Sequence, residues 1–259
     1  MIGPTPLLDF FKRGEVARDV RLLAAEGALA PRAYEQLAIL VFLLEDHDPE
    51  VRRIATATLD QIPVPALQSF LARSDVPVGM REFFGDRGVF PGEIPAIELD
   101  DPLIDNAVVE GLEDEGAAGG ASESLEQRLA AMSFPARLNA AFKGTREIRA
   151  ILIRSPNKML AAAVLSSPKV SDSEVETFAR MTNVSEEVLR TIGGNRAWTK
   201  NYGVVMGLTK NPKTPLAISL NFMARLNDRD LSTLSVDRNV PEPLRIAARK
   251  RIGGAGGRG

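Results

Sequence analysis

The residue best suited to acid–base or metal chemistry occurs once, as His47 in Glu45-Asp46-His47-Asp48-Pro49-Glu50. A metal or catalytic reading would draw on Asp46, Asp48 and Glu50 around the imidazole. The same residues are ordinary helix-boundary chemistry, with Asp and Pro opening a helix and Glu in its first turn. The boundary reading is the better one. One imidazole leaves no His pair for a metal, and the absence of cysteine removes disulfides and thiolate sites. No catalytic residue, metal or cofactor is therefore expected. Gly193-Gly194-Asn195-Arg196 could offer backbone N–H groups to a phosphate at a helix start, yet it lacks the lysine and spacing of a P-loop. A turn is the simpler account.

Cations with a fixed spacing are the stronger signal. Arg154, Lys210 and Arg238 fall on one 28-residue register, with Thr182 in the remaining copy. If successive units stack at about 10 Å, these charges form a ladder along one edge. Lys158, Arg190, Arg196, Lys200 and Lys213 widen it into a candidate binding surface. Each cation in a last helical turn is also favoured by the helix dipole, by about 0.3–1 kcal/mol. That accounts for each residue singly, but not for the net charge of the region.

Two aromatics lie near the ladder. The single tryptophan, Trp198, has Val170 and Leu226 as its register equivalents, so it is expected in the core. Tyr202 has Glu174 and Asp230, which makes it an exposed aromatic on a polar face and a candidate binding residue.

The elements that must position these residues follow from the repeat. Ser155, Asn183, Asn211 and Asn239 lie 28 residues apart, each followed in phase by Pro156, Val184, Pro212 and Val240. Further on come Leu160, Val188, Leu216 and Leu244, then Val164, Ile192, Leu220 and Ala248, then Phe178, Met206 and Leu234. A period of this size marks a stacked array in which no unit buries its apolar face alone. Each unit reads as a loop, a helix of about ten residues, a turn and a second helix. Before the repeats, Leu125 to Met132 and Ala136 to Ile153 read as a leading helix pair. Nearer the N-terminus, helices are expected at 6–13, 15–27, 31–45, from Pro49, at 64–73 and at 77–87.

Asp48-Pro49-Glu50-Val51-Arg52, followed by Ala and Leu at helical spacing, resembles the helix-loop-helix signature of HEAT repeats. The resemblance implies that Asp48 (or Asp46) and Arg52 tie neighbouring repeats together. Asn211-Pro212-Lys213-Thr214-Pro215-Leu216 resembles the leucine-rich-repeat-variant branch of α-solenoids, although that family has shorter units. The expected fold is all-α, a right-handed α-solenoid of HEAT-like helical hairpins in two lobes joined by an acidic disordered linker. The lobes span 1–95 and 124–252, the linker 96–123, and a flexible Gly-rich tail 253–259.

Charge divides along the same lines. Residues 1–95 carry 10 Lys and Arg against 14 Asp and Glu. Residues 96–126 carry 10 acids and no Lys or Arg, whereas residues 127–259 carry 22 Lys and Arg against 10 acids, a net +12. Such acidity with few large apolar residues argues for disorder over 98–123. A tether of that charge beside a basic lobe is expected to shield it, so deleting 98–123 should strengthen polyanion binding at low salt.

No apolar run approaches the ~18–20 residues of a membrane span, and the N-terminus has no secretory signal, so a cytoplasmic protein with no membrane contact is expected. These features point to a non-enzymatic scaffold for a protein partner, an acidic one matching the basic ladder. The alternative is a nucleic-acid binder using the basic C-terminal lobe. The pI near 5.7 and the low aromatic content, 5%, weigh against that alternative. A HEAT-like DNA-repair glycosylase would need a Trp and an Asp lining a cleft, and the register equivalents of Trp198 assign it to the core.

Overall fold

In the computed structural model, described over residues 6–29, 32–94, 103–104 and 124–255, all regular structure is helical. The chain divides into two compact units. The first comprises Met1–Arg149 with Ala162–Lys169, and the second Ala150–Ala161 with Val170–Gly259.

The first unit begins with α1 (Pro6–Lys12), α2 (Arg18–Ala25), α3 (Ala33–Leu43) and α4 (Pro49–Gln61). It continues with α5 (Val64–Leu71), α6 (Val78–Gly85), α7 (Leu125–Ala131) and α8 (Phe134–Lys143). Helix α3, Ala-Tyr-Glu-Gln-Leu-Ala-Ile-Leu-Val-Phe-Leu, is apolar nearly all round, as a central helix must be. It packs on α1, α2 and α4. Leu37, Ile39, Leu40 and Leu43 are buried there, each contributing roughly 1.5–3 kcal/mol. Asp48 caps α4 by accepting from the Glu50 N–H at 2.9 Å, and Pro49 follows in the first turn. Asp48 also takes Arg18 from α2 at 2.6 Å. The Arg52 guanidinium donates to the Asp46 carbonyl at 2.5 Å.

His47 is a surface residue of this turn, its Nε2 3.1 Å from an Arg21 guanidinium nitrogen. Its Nδ1 lies 3.4 Å from Asp46 Oδ1.

The stretch expected as one helix over 136–153 is two, α8 and α9 (Arg146–Leu152). Gly144 caps α8 with ψ 173° and donates to the Ala140 carbonyl. A Cβ at Gly144 would lie 2.3 Å from that carbonyl oxygen, so the break needs glycine.

The second unit carries the repeats. Helices α10 (Lys158–Ser166), α12 (Glu186–Gly194), α14 (Leu216–Met223) and α16 (Glu242–Ala255) begin them. Helices α11 (Asp172–Arg180), α13 (Tyr202–Lys210) and α15 (Asp228–Val236) follow, with a 3₁₀ turn at Trp198–Lys200 before α13. The division between the units falls within α9 and again within α10. Within the second unit α11 packs on α12 and α13, α13 on α14, α14 on α16, and α15 on α16. Ser171, Ser185, Asn201 and Asn227 cap α11, α12, α13 and α15 through their side chains, each cap worth about 1 kcal/mol.

Val164, Ile192 and Ala248 are buried as the register requires. In the third copy it slips. Leu216 is 39% exposed, and Ser219 and Met223 turn inward instead. Helix α14, with Pro215 at its cap position, starts two residues later in the register than α12. Glu174, expected at the surface, is buried because it completes the capping box of α11 with Ser171. Trp198 is half-buried on the 3₁₀ turn rather than enclosed.

The expected linker, 96–123, lies outside the described residues apart from Leu103 and Ile104. Of the expected tail, 253–255 continue α16 and 256–259 lie outside.

Candidate functional site

The ladder register leads to a cleft of about 540 Å³ in the second unit. Arg180 comes from the last turn of α11, and Met206, Gly207 and Lys210 come from α13. Thr182, Asn211, Pro212, Asp237 and Asn239 come from the loops that follow α11, α13 and α15. Close approach of α13 to α11 builds the wall. A Cβ on Gly207 would stand 3.1 Å from Ala179 Cβ and from Arg180 Cγ, so glycine lets the two helices meet.

Asn211 holds the floor. It is 3% exposed, and its Nδ2 donates to the carbonyls of Ala179 at 2.9 Å and Met181 at 2.8 Å. Its Oδ1 accepts from the Lys213 N–H at 3.0 Å. The loop after α13 is thereby fastened to the end of α11. Asn183 and Asn239, its equivalents at 28 residues, are exposed, so the fastening belongs to this copy.

Two cations and one anion face the cleft. Arg180 is partly neutralised by Glu176 at 2.5 Å. Asp237 accepts from the Asn239 N–H at 3.0 Å, which fixes its carboxylate. Lys210 makes no ion pair or side-chain hydrogen bond among the described residues. Lys210, half-buried as a residue, lines the cleft together with Met206 and Pro212 and is the charge the cleft leaves available.

Of the ladder positions, the cleft unites Thr182 and Lys210; Arg154 and Arg238 are exposed outside it. Arg154 turns back on the Ala150 carbonyl at 2.8 Å. Several other candidate cations are engaged within the chain. Lys158 pairs with Glu187 at 3.1 Å, Arg190 with Glu186 at 2.5 Å, and Lys213 Nζ donates to the Val184 carbonyl at 3.3 Å. Arg196 and Lys200 are exposed.

Tyr202 is 41% exposed, and its hydroxyl donates to Asp230 Oδ2 at 2.5 Å while accepting from the Asn227 N–H at 3.2 Å. Burial, then the bond to Asp230, pushes its phenol above the usual tyrosine range. Asp230 is its own 28-residue equivalent, so the pair joins consecutive copies. Gly193 packs under Ile218, and the N–H groups of Ala197 and Trp198 turn to the Asn195 side chain rather than outward.

Arg180 and Asp237 were not among the residues singled out by spacing. Arg180 lies two residues before the ladder position and carries the signature of a helix-surface pair with Glu176, which hides its second role. Among the described residues no group of three or more His, Cys, Asp or Glu is arranged to hold a metal, and no helix is long and apolar enough to cross a membrane.

Compared with family profiles, curated proteins and solved structures, the chain matches none.

Proposed function

We propose that this chain is a non-enzymatic interaction scaffold, a cytoplasmic right-handed α-solenoid of HEAT-like hairpins in two lobes joined by an acidic linker. Its basic edge takes a carboxylate-bearing segment of an acidic protein. The observation that carries the reading is the Lys210 ammonium, unpaired among the described residues, in a cleft it shares with Met206 and Pro212. A cation flanked by Met206 and Pro212 suits an acidic side chain set among apolar ones better than a free anion. Co-purification of partners from a cytoplasmic extract on the wild type and on the Arg180→Glu/Lys210→Glu variant tests it. Loss of acidic partners from the variant alone is expected, and identical recovery by both refutes the role of the cleft.

A second reading, nucleic-acid binding by the C-terminal lobe, is favoured by the net +12 of residues 127–259. It ranks below the first because Lys158, Arg190 and Arg180 are already paired with carboxylates of the chain, and Asp237 faces the cleft.

A further inference from the structure

In the first unit, a buried side-chain amide holds the main chain of a residue far along the sequence. Gln36 on α3 is 1% exposed. Its Nε2 donates to the Ile104 carbonyl at 2.8 Å, and its Oε1 accepts from the Ile104 N–H at 3.1 Å. The carboxamide thus forms the two opposed bonds that a residue of a neighbouring antiparallel strand would form. The second Nε2 hydrogen goes to the Gly27 carbonyl at 2.8 Å, which fixes the amide's orientation. Every hydrogen-bonding group of the side chain has a partner, and two of its three bonds go to a residue 68 positions away.

Gly27 supplies the other half of the seat. Its φ of 81° ends α2 in a conformation that favours glycine. A Cβ there would meet Ile104 Cβ and Cγ2 at 3.5 Å, so the Ile104 side chain lies directly against the bare turn. Leu103 and Ile104 are both half-buried. In sequence they sit in Asp100-Asp101-Pro102-Leu103-Ile104-Asp105, an apolar pair between acids.

The seat reads backbone on one side and one β-branched side chain on the other. Main-chain hydrogen bonds for affinity and a seat for one side chain for specificity are a recurring mode of peptide recognition. Gln36 in a core helix has no structural need for a distant partner; an apolar residue of its size would fill the space. With Ile104 withdrawn, Gln36 would hold a donor and an acceptor with no partner.

We propose that Gly27 and Gln36 form a peptide-recognition site for a short segment centred on an isoleucine, with Leu103–Ile104 as its resident, displaceable occupant. A peptide of the same type supplied in trans competes for the seat. The tethered segment has a high effective concentration, on the order of millimolar, so the wild type masks its own site.

The test uses the full chain and a fluorescent peptide corresponding to residues 99–108, read by anisotropy. Ile104→Asp in the chain unseats the resident segment, and the variant is expected to bind the peptide at least about tenfold more tightly than the wild type. The same peptide carrying Asp in place of its Ile should not bind. Adding Gln36→Met to the Ile104→Asp chain should abolish binding. Independently, hydrogen exchange at the Ile104 amide should be protected in the wild type. Gln36→Met should erase that protection while α4 amides keep theirs. Equal peptide affinity in the wild type and the Ile104→Asp chain overturns the proposal, whether or not the Gln36→Met chain folds. So does an Ile104 amide unprotected in the wild type.

Discussion

Glu35 offers a quantitative check on how the first unit is packed. It lies in the first turn of the core helix α3, is 2% exposed, and its Oε2 has no hydrogen-bond partner among the described residues. Burial pushes its carboxyl from the ordinary 4.5 up to about 7, against weaker opposing effects of Arg32 and of Ser166, whose hydroxyl faces it without a fully formed hydrogen bond. The folded chain therefore holds a proton between pH 4.5 and 7 that the unfolded chain releases. The stability tied to this group is fully present below 4.5 and is lost as pH rises through about 7. At about 1.4 kcal/mol per pH unit, the loss amounts to roughly 3 kcal/mol by pH 8.5.

Glu35→Gln keeps the shape and removes the titration. Urea unfolding followed by circular dichroism, on both proteins at pH 5 and pH 8.5, gives the comparison. The two should be about equally stable at pH 5, and the variant about 3 kcal/mol more stable at pH 8.5. Other carboxylates, such as the lowered Asp48 and Asp75, act alike in both proteins and cancel in the difference. Parallel pH profiles, or a wild type that gains on the variant as pH rises, would refute the argument.

Asn211→Ala leaves the Ala179 and Met181 carbonyls without their donor and should cost about 2 kcal/mol in the same unfolding assay. Gly144→Ala forces a methyl group onto the Ala140 carbonyl and the Ile148 side chain, so a loss of roughly 2–4 kcal/mol is expected. Gly203→Ala places its Cβ against the carboxylate end of Glu176, the tip of a flexible side chain, and should stay within about 0.5 kcal/mol. The chain has two tyrosines, Tyr34 and Tyr202, both raised above 10, each chiefly by burial. An absorbance titration of the folded protein should find fewer than half the phenols ionised at pH 10, the ordinary value returning in denaturant.

The helices of the repeats are legible because their apolar positions recur at a fixed distance and most of them are buried, Val164, Ile192, Leu244 and Ala248 among them. Leu216 departs from the pattern, exposed where Leu160, Val188 and Leu244 are buried, although Pro215 before it has its register equivalent in Pro243 before Leu244. The break at Gly144 is harder to read, since the apolar periodicity runs on across it and a glycine inside a helix costs only about 1 kcal/mol. Lys210 is legible as a cation on a register, but its availability depends on where Glu176, Glu186 and Glu187 place their carboxylates. The pairing of Gln36 with Ile104 leaves no trace in the residue pattern, because main-chain bonds impose no side-chain requirement on the segment that is held. Glu35 does leave one: an acid among the apolar residues of Ala33–Leu43 must either find a partner or keep its proton.

The central claim, a carboxylate-binding edge on a non-enzymatic scaffold, is tested most directly by titrating the full chain and its Lys210→Glu variant with a labelled oligoglutamate peptide, alongside a short DNA duplex, across a salt series. The account predicts binding of the peptide at low salt, weakened about tenfold or more by Lys210→Glu and unchanged by Gln36→Met, with the duplex bound no more tightly than the peptide. Tighter binding of the duplex with a steep fall in salt, or peptide binding indifferent to Lys210→Glu, would contradict it.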